Sequence, residues 1–112
     1  MSDSPIFLSL TSMISSGDMS QASISSSALD IREAHHVAVQ AVWTGSSPVG
    51  TLSVQGSIDG STYTEVQSAS AVSGNSGSLL INLSNVAYSN LKLVYTKTSG
   101  TGTINAKVAL KQ

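Results

Sequence analysis

Serine, histidine and aspartate all occur in this chain of 112 residues, so nucleophilic acyl transfer is the first chemistry to weigh. Serine fills 24 positions and threonine 9, which makes a serine near a histidine uninformative by itself. There is no G-x-S-x-G elbow, and no motif sets a nucleophile beside a base. His35 and His36 are adjacent, and on a strand neighbouring side chains point to opposite faces, so the pair is badly placed to share a metal. One reads as a strand-end residue and the other as a surface residue. Asp30 and Glu33 flank Arg32 and have the types of a general acid and base. Solvated or capping carboxylates explain them better, because nothing else points to glycoside hydrolysis. Asp18 and Asp59 each adjoin a glycine, as turns require, and the repeated oxygen-ligand spacing of a calcium loop is missing. The glycines at 74, 77, 100 and 102 lie between strand patterns, without the helix N-terminus that completes a phosphate site. Among the aromatics, Trp43 is in register with Val37, Val39 and Ala41 and reads as core or rim. Tyr63 follows the Asp59-Gly60 turn and is the better candidate for a sugar or protein contact. The reading therefore assigns no catalytic, cofactor-binding or metal-ligating residue and expects no enzyme.

The elements that would position these residues are strands. The segment 5–11 alternates Ile6, Leu8 and Leu10 against Phe7 and Ser9, with Pro5 suited to a strand start. Residues 12–27 are serine-rich, with a loop expected around Gly17-Asp18 and a weak strand at 21–25. Residues 28–34 suit a short turn or a strand end. Residues 36–44 alternate as a strand, and Gly45-Ser46-Ser47-Pro48 reads as a loop. In 50–58, Leu52, Val54, Gly56 and Ile58 oppose a polar face, and Asp59-Gly60 reads as a two-residue reversal into 62–66. Residues 67–78 form a Ser/Gly/Asn loop, 79–83 a strand, and 90–98 with 103–110 a second hairpin turning at 99–102. No repeat of fixed period stands out. Seven or eight strands with no room for a crossover helix predict an all-β antiparallel sandwich, a jelly roll, as one domain over 1–112, with 1–12 either an N-terminal arm or the first strand.

Composition narrows the function classes. Hydrophobic residues make up 40% and charged residues 10%, the net charge is −1, and there is no cysteine, so stability must come from packing and backbone pairing rather than cross-links. Four lysines and one arginine are scattered, leaving no electrostatic footprint for nucleic acid. No apolar run approaches a membrane span, and MSDSPIFL carries Asp3 where a signal peptide would be basic. The expectation is a product made and kept in the cytoplasm, or carried wherever its partners take it.

The hairpin Val54-Gln55-Gly56-Ser57-Ile58-Asp59-Gly60-Ser61-Thr62-Tyr63-Thr64-Glu65-Val66 resembles the S-x-D-G-x-x-(aromatic)-x-x-V hairpin of galactose-binding-like jelly rolls, the discoidin type among them. Over roughly its last 70 residues the chain also resembles small bacteriophage virion proteins. There a W-T-G turn (Trp43-Thr44-Gly45), a G-T-L-S-V-Q-G-S strand (50–57), the Asp59-Gly60 hairpin and an L-V-Y-T-x-T-S-G-T-G-T segment (93–103) occur together. The phage resemblance implies a β-sandwich that decorates or cements the capsid, or belongs to the tail and its fibres. The expected partners are the major capsid protein and further copies of the chain, on the outer capsid surface of the virion. Ile6, Phe7, Leu8 and Leu10 are the candidate capsid contacts, an arm able to pair with a partner's sheet edge, unless the segment is the first strand of its own sandwich. The alternative is a tail, baseplate or fibre module that binds a host cell-surface glycan through Tyr63 and the loops at 45–50 and 67–78.

Overall fold

The computed structural model describes the backbone of residues 7–32, 34–84 and 86–111 and, from residue 10 onward, their side chains. Among these residues eight strands follow one another: β1 (Phe7–Asp18), β2 (Ser23–Ser25), β3 (Leu29–Asp30), β4 (His36–Ser57), β5 (Thr64–Glu65), β6 (Ser70–Val72), β7 (Ser76–Ser84) and β8 (Asn90–Lys111). Every pairing is antiparallel. The ribbon of β4 and β8 runs from His36 opposite Lys111 to Ser57 opposite Asn90. Its 22-residue strands would span roughly 70 Å if flat. The molecule is only 49 Å in its longest dimension, so the ribbon must bend.

Short connectors show how far it bends. The Ile31 N–H donates to the Ser89 carbonyl (2.8 Å) and the His35 N–H to the Lys111 carbonyl (2.9 Å), so one short segment touches both ends of β8. The Val86 N–H donates to the His35 carbonyl (3.1 Å) and the Ser89 N–H to the Ser57 carbonyl (2.8 Å), which ties both ends of β4 in the same way. The ribbon is therefore doubled over into two layers. One layer contains β1, the second half of β8, the first half of β4, and β7. The other contains β2 and β3, the first half of β8, the second half of β4, and β5 with β6. The result is an all-β antiparallel sandwich of the jelly-roll type, as the alternation predicts.

The bend corrects two expectations. Residues 45–48 are not a loop and 99–102 do not close a hairpin, because the two turn-like segments lie opposite each other at the fold of the ribbon. Each strand carries an extra residue there, with register shifts between Ser46 and Val49 and between Val49 and Gly50. Ser47 (φ 49°) and Gly100 (φ 82°) take left-handed backbone at the bulges. A Cβ on Gly100 would run into the Ser47 carbonyl oxygen, so only glycine lets the bulged strands approach this closely. Other boundaries move as well. β1 continues through the expected Gly17-Asp18 loop, and β6 and the start of β7 occupy the expected 67–78 loop. The Asp59-Gly60 reversal is a loop over 58–63 rather than a two-residue turn.

Bulges also explain the burial pattern. Val37, Val39, Ala41 and Trp43 are buried before the bend in β4, and Leu52 and Val54 after it, so the buried parity switches from odd to even. In β8 it switches from Leu91, Leu93 and Tyr95 to Ile104, Ala106 and Val108. A bulge sets two residues against one and slips the alternation, which keeps the same concave face inward through the fold. A repeat emerges that the sequence reading did not find. Positions 52 apart share roles, with Val39/Leu91, Ala41/Leu93, Trp43/Tyr95, Leu52/Ile104 and Val54/Ala106 all buried. The Trp43–Ile104 pairing maps onto Leu52–Tyr95, and Val39–Ile81 maps onto Leu29–Leu91. The molecule is thus a pseudo-twofold duplication, with identity confined to places such as Thr44/Thr96, Gly50/Gly102 and Thr51/Thr103.

Candidate functional site

The β4–β5 loop is a rigid polar knot. Ser57 is buried, and its Oγ accepts from the Gly60 N–H (2.9 Å) and donates to Asp59 Oδ1 (2.9 Å). Asp59 Oδ1 also accepts from the backbone N–H groups of Ser61 (2.8 Å) and Thr62 (3.0 Å). These donors, Thr62 first, then Ser61 and the Ser57 hydroxyl, hold the Asp59 carboxyl down at about 2. Beside the loop lies an open groove of about 450 Å³, lined by Gly56 to Asp59, Thr62, Thr64 to Val66 and Tyr88. The Tyr88 ring rests on Gly56, where an added Cβ would come within 2.7 Å of its Cδ2. Burial raises the Tyr88 phenol pKa. An aromatic wall with hydroxyl and carboxylate groups at its rim has the chemistry to hold a hydroxyl-rich ligand.

Tyr63 is half-buried and sits near this loop, with Lys92 Nζ 4.4 Å from its ring centroid. That cation occupies a ring face a sugar would need. Tyr88, in the connector before β8, was missed by sequence reasoning, since only the long-range packing on Gly56 gives it a place beside the groove.

The N-terminal candidates lie apart from this groove. The backbone of Phe7, Leu8 and Leu10 belongs to β1, which pairs along β8 from Phe7 opposite Lys111 to Asp18 opposite Thr103, while Ile6 lies outside the described residues. Leu10 is 60% exposed and sits across from Ala109, which faces Ala38 in β4. Leu80 in β7 is 61% exposed, and Val42 is also exposed. These residues give the first layer a weakly apolar outer surface. Its two edges differ. β1 has three register shifts, whereas β7 pairs with β4 from Ser76 to Ser84 without one.

The remaining polar candidates do not converge. Asp30 and Arg32 form an exposed ion pair (2.7 Å), and the arginine holds the Asp30 carboxyl below its usual range. Asp18 accepts from the Ser20 N–H (2.9 Å) and hydroxyl (2.6 Å). His35 and His36 are both exposed. Glu33 lies outside the described residues. Among the described residues no three His, Asp or Glu side chains are grouped to hold a metal, and no helix is long and apolar enough to cross a membrane.

The fold and its edges define a small two-layer antiparallel β-sandwich. No protein-family model matches the chain, and no curated protein sequence matches it. Solved structures do share its fold. The SPBc2 prophage-derived protein YomS superposes with a TM-score of 0.63 at 10% identity, covering 97% of this chain and 97% of that one. Dimeric latent PorU from Porphyromonas gingivalis matches with a TM-score of 0.56 at 10% identity, over 92% of this chain and 12% of that one. A chain in the structure of infectious bursal disease virus, Gx strain, matches with a TM-score of 0.50 at 12% identity, over 99% of this chain and 32% of that one.

Proposed function

We propose that this chain is a non-enzymatic structural protein of a bacteriophage particle, which decorates or staples the outer capsid surface by binding major capsid protein subunits. The observation that carries this reading is the end-to-end likeness to a prophage-derived protein, in which 97% of each chain is covered by one shared sandwich. The virus structure containing the same fold supports a virion setting. The physics is compatible. A protein that binds only the assembled shell stabilises it by mass action, and several weak contacts multiply when copies associate. With a net charge of −1, attachment would be apolar and hydrogen-bonded, and so only weakly dependent on salt.

The test is co-sedimentation of the protein with phage heads that lack it, counting bound copies against the major capsid protein. Saturation at a fixed ratio, with heads that survive higher temperature and binding that persists at moderate ionic strength, is the expected result. Absence of binding to heads would overturn the capsid reading. A second reading, a tail, baseplate or fibre module for a host glycan, draws on the groove beside Tyr88 and the Asp59 loop. On that reading Tyr88→Ala abolishes glycan binding in a folded protein, and Tyr63→Ala weakens it. A glycan array with no ligand removes it.

A further inference from the structure

The edges of the sandwich are not equally protected. An unpaired strand edge is a template for another strand, and proteins blunt it with bulges, charges, proline or short length. β1 has three register shifts and ends in Asp18. β2 and β3 are three and two residues long, followed by the Asp30–Arg32 ion pair. β5 and β6 are two and three residues long, and β5 contains Glu65. β7 has none of these devices. It is nine residues (SGSLLINLS), about 30 Å of edge without a register shift. It contains no charge, proline or bulge, and among the described residues its only strand partner is β4. Leu79 and Leu83, on its inward face, are only half-buried, and Leu80 stands exposed on the other face.

We infer that β7 is a docking edge for a second copy of this chain, pairing antiparallel with its own β7 about a twofold axis at Leu80. Three features favour a copy over an unrelated strand. Pairing an edge with itself sets each residue against its mirror position, and an uncharged edge does so without like-charge repulsion. In this register Leu80 meets Leu80 of the copy, Ser78 meets Asn82 and Ser76 meets Ser84, so apolar faces apolar and polar faces polar. The inward residues Leu79 and Ile81 also meet each other, which continues the buried face from one layer into the next. A single strand pair buries less than the roughly 1,200 Å² of a standard stable interface, so the dimer is weak and concentration-dependent. The inference stands independently of the capsid reading.

The chain has no cysteine, which allows a direct test. Directly opposed residues in an antiparallel pair have Cα atoms about 4.5–5.5 Å apart, within disulfide range. Under mild oxidation full-length Leu80→Cys should form a covalent dimer, while Leu10→Cys, equally exposed on the bulged β1 edge, should stay largely monomeric. In sedimentation velocity the wild type should shift from monomer to dimer as concentration rises. Leu80→Lys, which opposes two ammonium groups across the axis, should weaken that dimer at least tenfold, with an unchanged circular dichroism spectrum and melting temperature. A wild type that remains monomeric at every concentration overturns the inference. So does a dimer that survives Leu80→Lys, or one in which the two cysteine variants cross-link alike.

Discussion

Trp43 and Tyr95 occupy equivalent places in the two halves of the duplication, each buried at the inner face just before the bend of its long strand. The first half satisfies its aromatic, since the Trp43 indole N–H donates to the Ser73 carbonyl at 3.2 Å. In the second half the Tyr95 hydroxyl is buried with no hydrogen-bond partner among the described residues, and burial raises its pKa. Their surroundings differ in the same sense. The Trp43 ring is packed against Gly77, where a Cβ would lie 2.6 Å from Cζ2, whereas the Tyr95 hydroxyl lies 2.7 Å from where a Cβ on Gly50 would stand. The edges next to the two halves of the core diverge as well. The first half is flanked by the long regular β7, and the second by the short β2 and β3. A shared buried column is therefore compatible with different edges and different polar satisfaction, which frees one half to present a surface that the other closes off.

The largest effect should come from breaking what the halves share. Gly100→Val forces a β-branched residue into left-handed backbone against the Ser47 carbonyl and should cost about 3 kcal/mol or more, or prevent folding, as read by urea unfolding. Next comes the satisfied aromatic. Trp43→Phe keeps an apolar ring but gives up the hydrogen bond to the Ser73 carbonyl and leaves a gap beside Gly77, and should cost about 1–2 kcal/mol. The equivalent change in the other half should have the opposite sign. Tyr95→Phe removes an orphaned hydroxyl and should leave stability unchanged or raise it by about 1 kcal/mol. A loss as large as that of Trp43→Phe would mean that Tyr95 has a partner, such as a buried water, and that the two halves are alike after all. Tyr95 and Tyr88 have folded pKa values raised above that of the unfolded chain. The stability they contribute is therefore complete below about pH 10 and lost at higher pH, and Tyr95→Phe should flatten that alkaline limb.

The comparison also shows which features a sequence can reveal. Alternation marked the faces of β4 and β8, and the register of Trp43 with Val37, Val39 and Ala41 placed it in the core, because burial of one sheet face imposes a period of two. It did not reveal that residues 45–48 and 99–102 face each other. Glycine and serine signal left-handed backbone equally well in a loop and in paired bulges, and only the partner strand distinguishes them. The duplication was hidden because Val39 and Leu91, or Trp43 and Tyr95, keep burial while changing type. Tyr63 was legible as an aromatic after a turn, but Lys92 over its ring comes from a strand far along the chain. The open edge at β7 was legible as a run without charge. That it is an edge is a fact of strand order, on which alternation is silent.

The acid limb tests the loop that joins the two halves. Asp59 follows the last strand of the first half, and its carboxylate is the acceptor around which residues 57–62 close. Its folded pKa of about 2 lies below the ordinary value of 3.8, so the ionised form is the one the fold prefers. The contribution is therefore present in full above about pH 4 and is lost as pH falls through 2. Asp59 is exposed, so solvent screens the effect and it should be the smallest of the set. Asp59→Asn keeps a side-chain oxygen for the Ser61 and Thr62 N–H groups but does not titrate, so its melting temperature should vary less than that of the wild type between pH 4 and pH 2. Equal slopes for the two proteins would assign the acid sensitivity to other carboxylates and leave the joint between the halves held by the Ser57 hydroxyl and the strand pairing of Gln55 with Glu65.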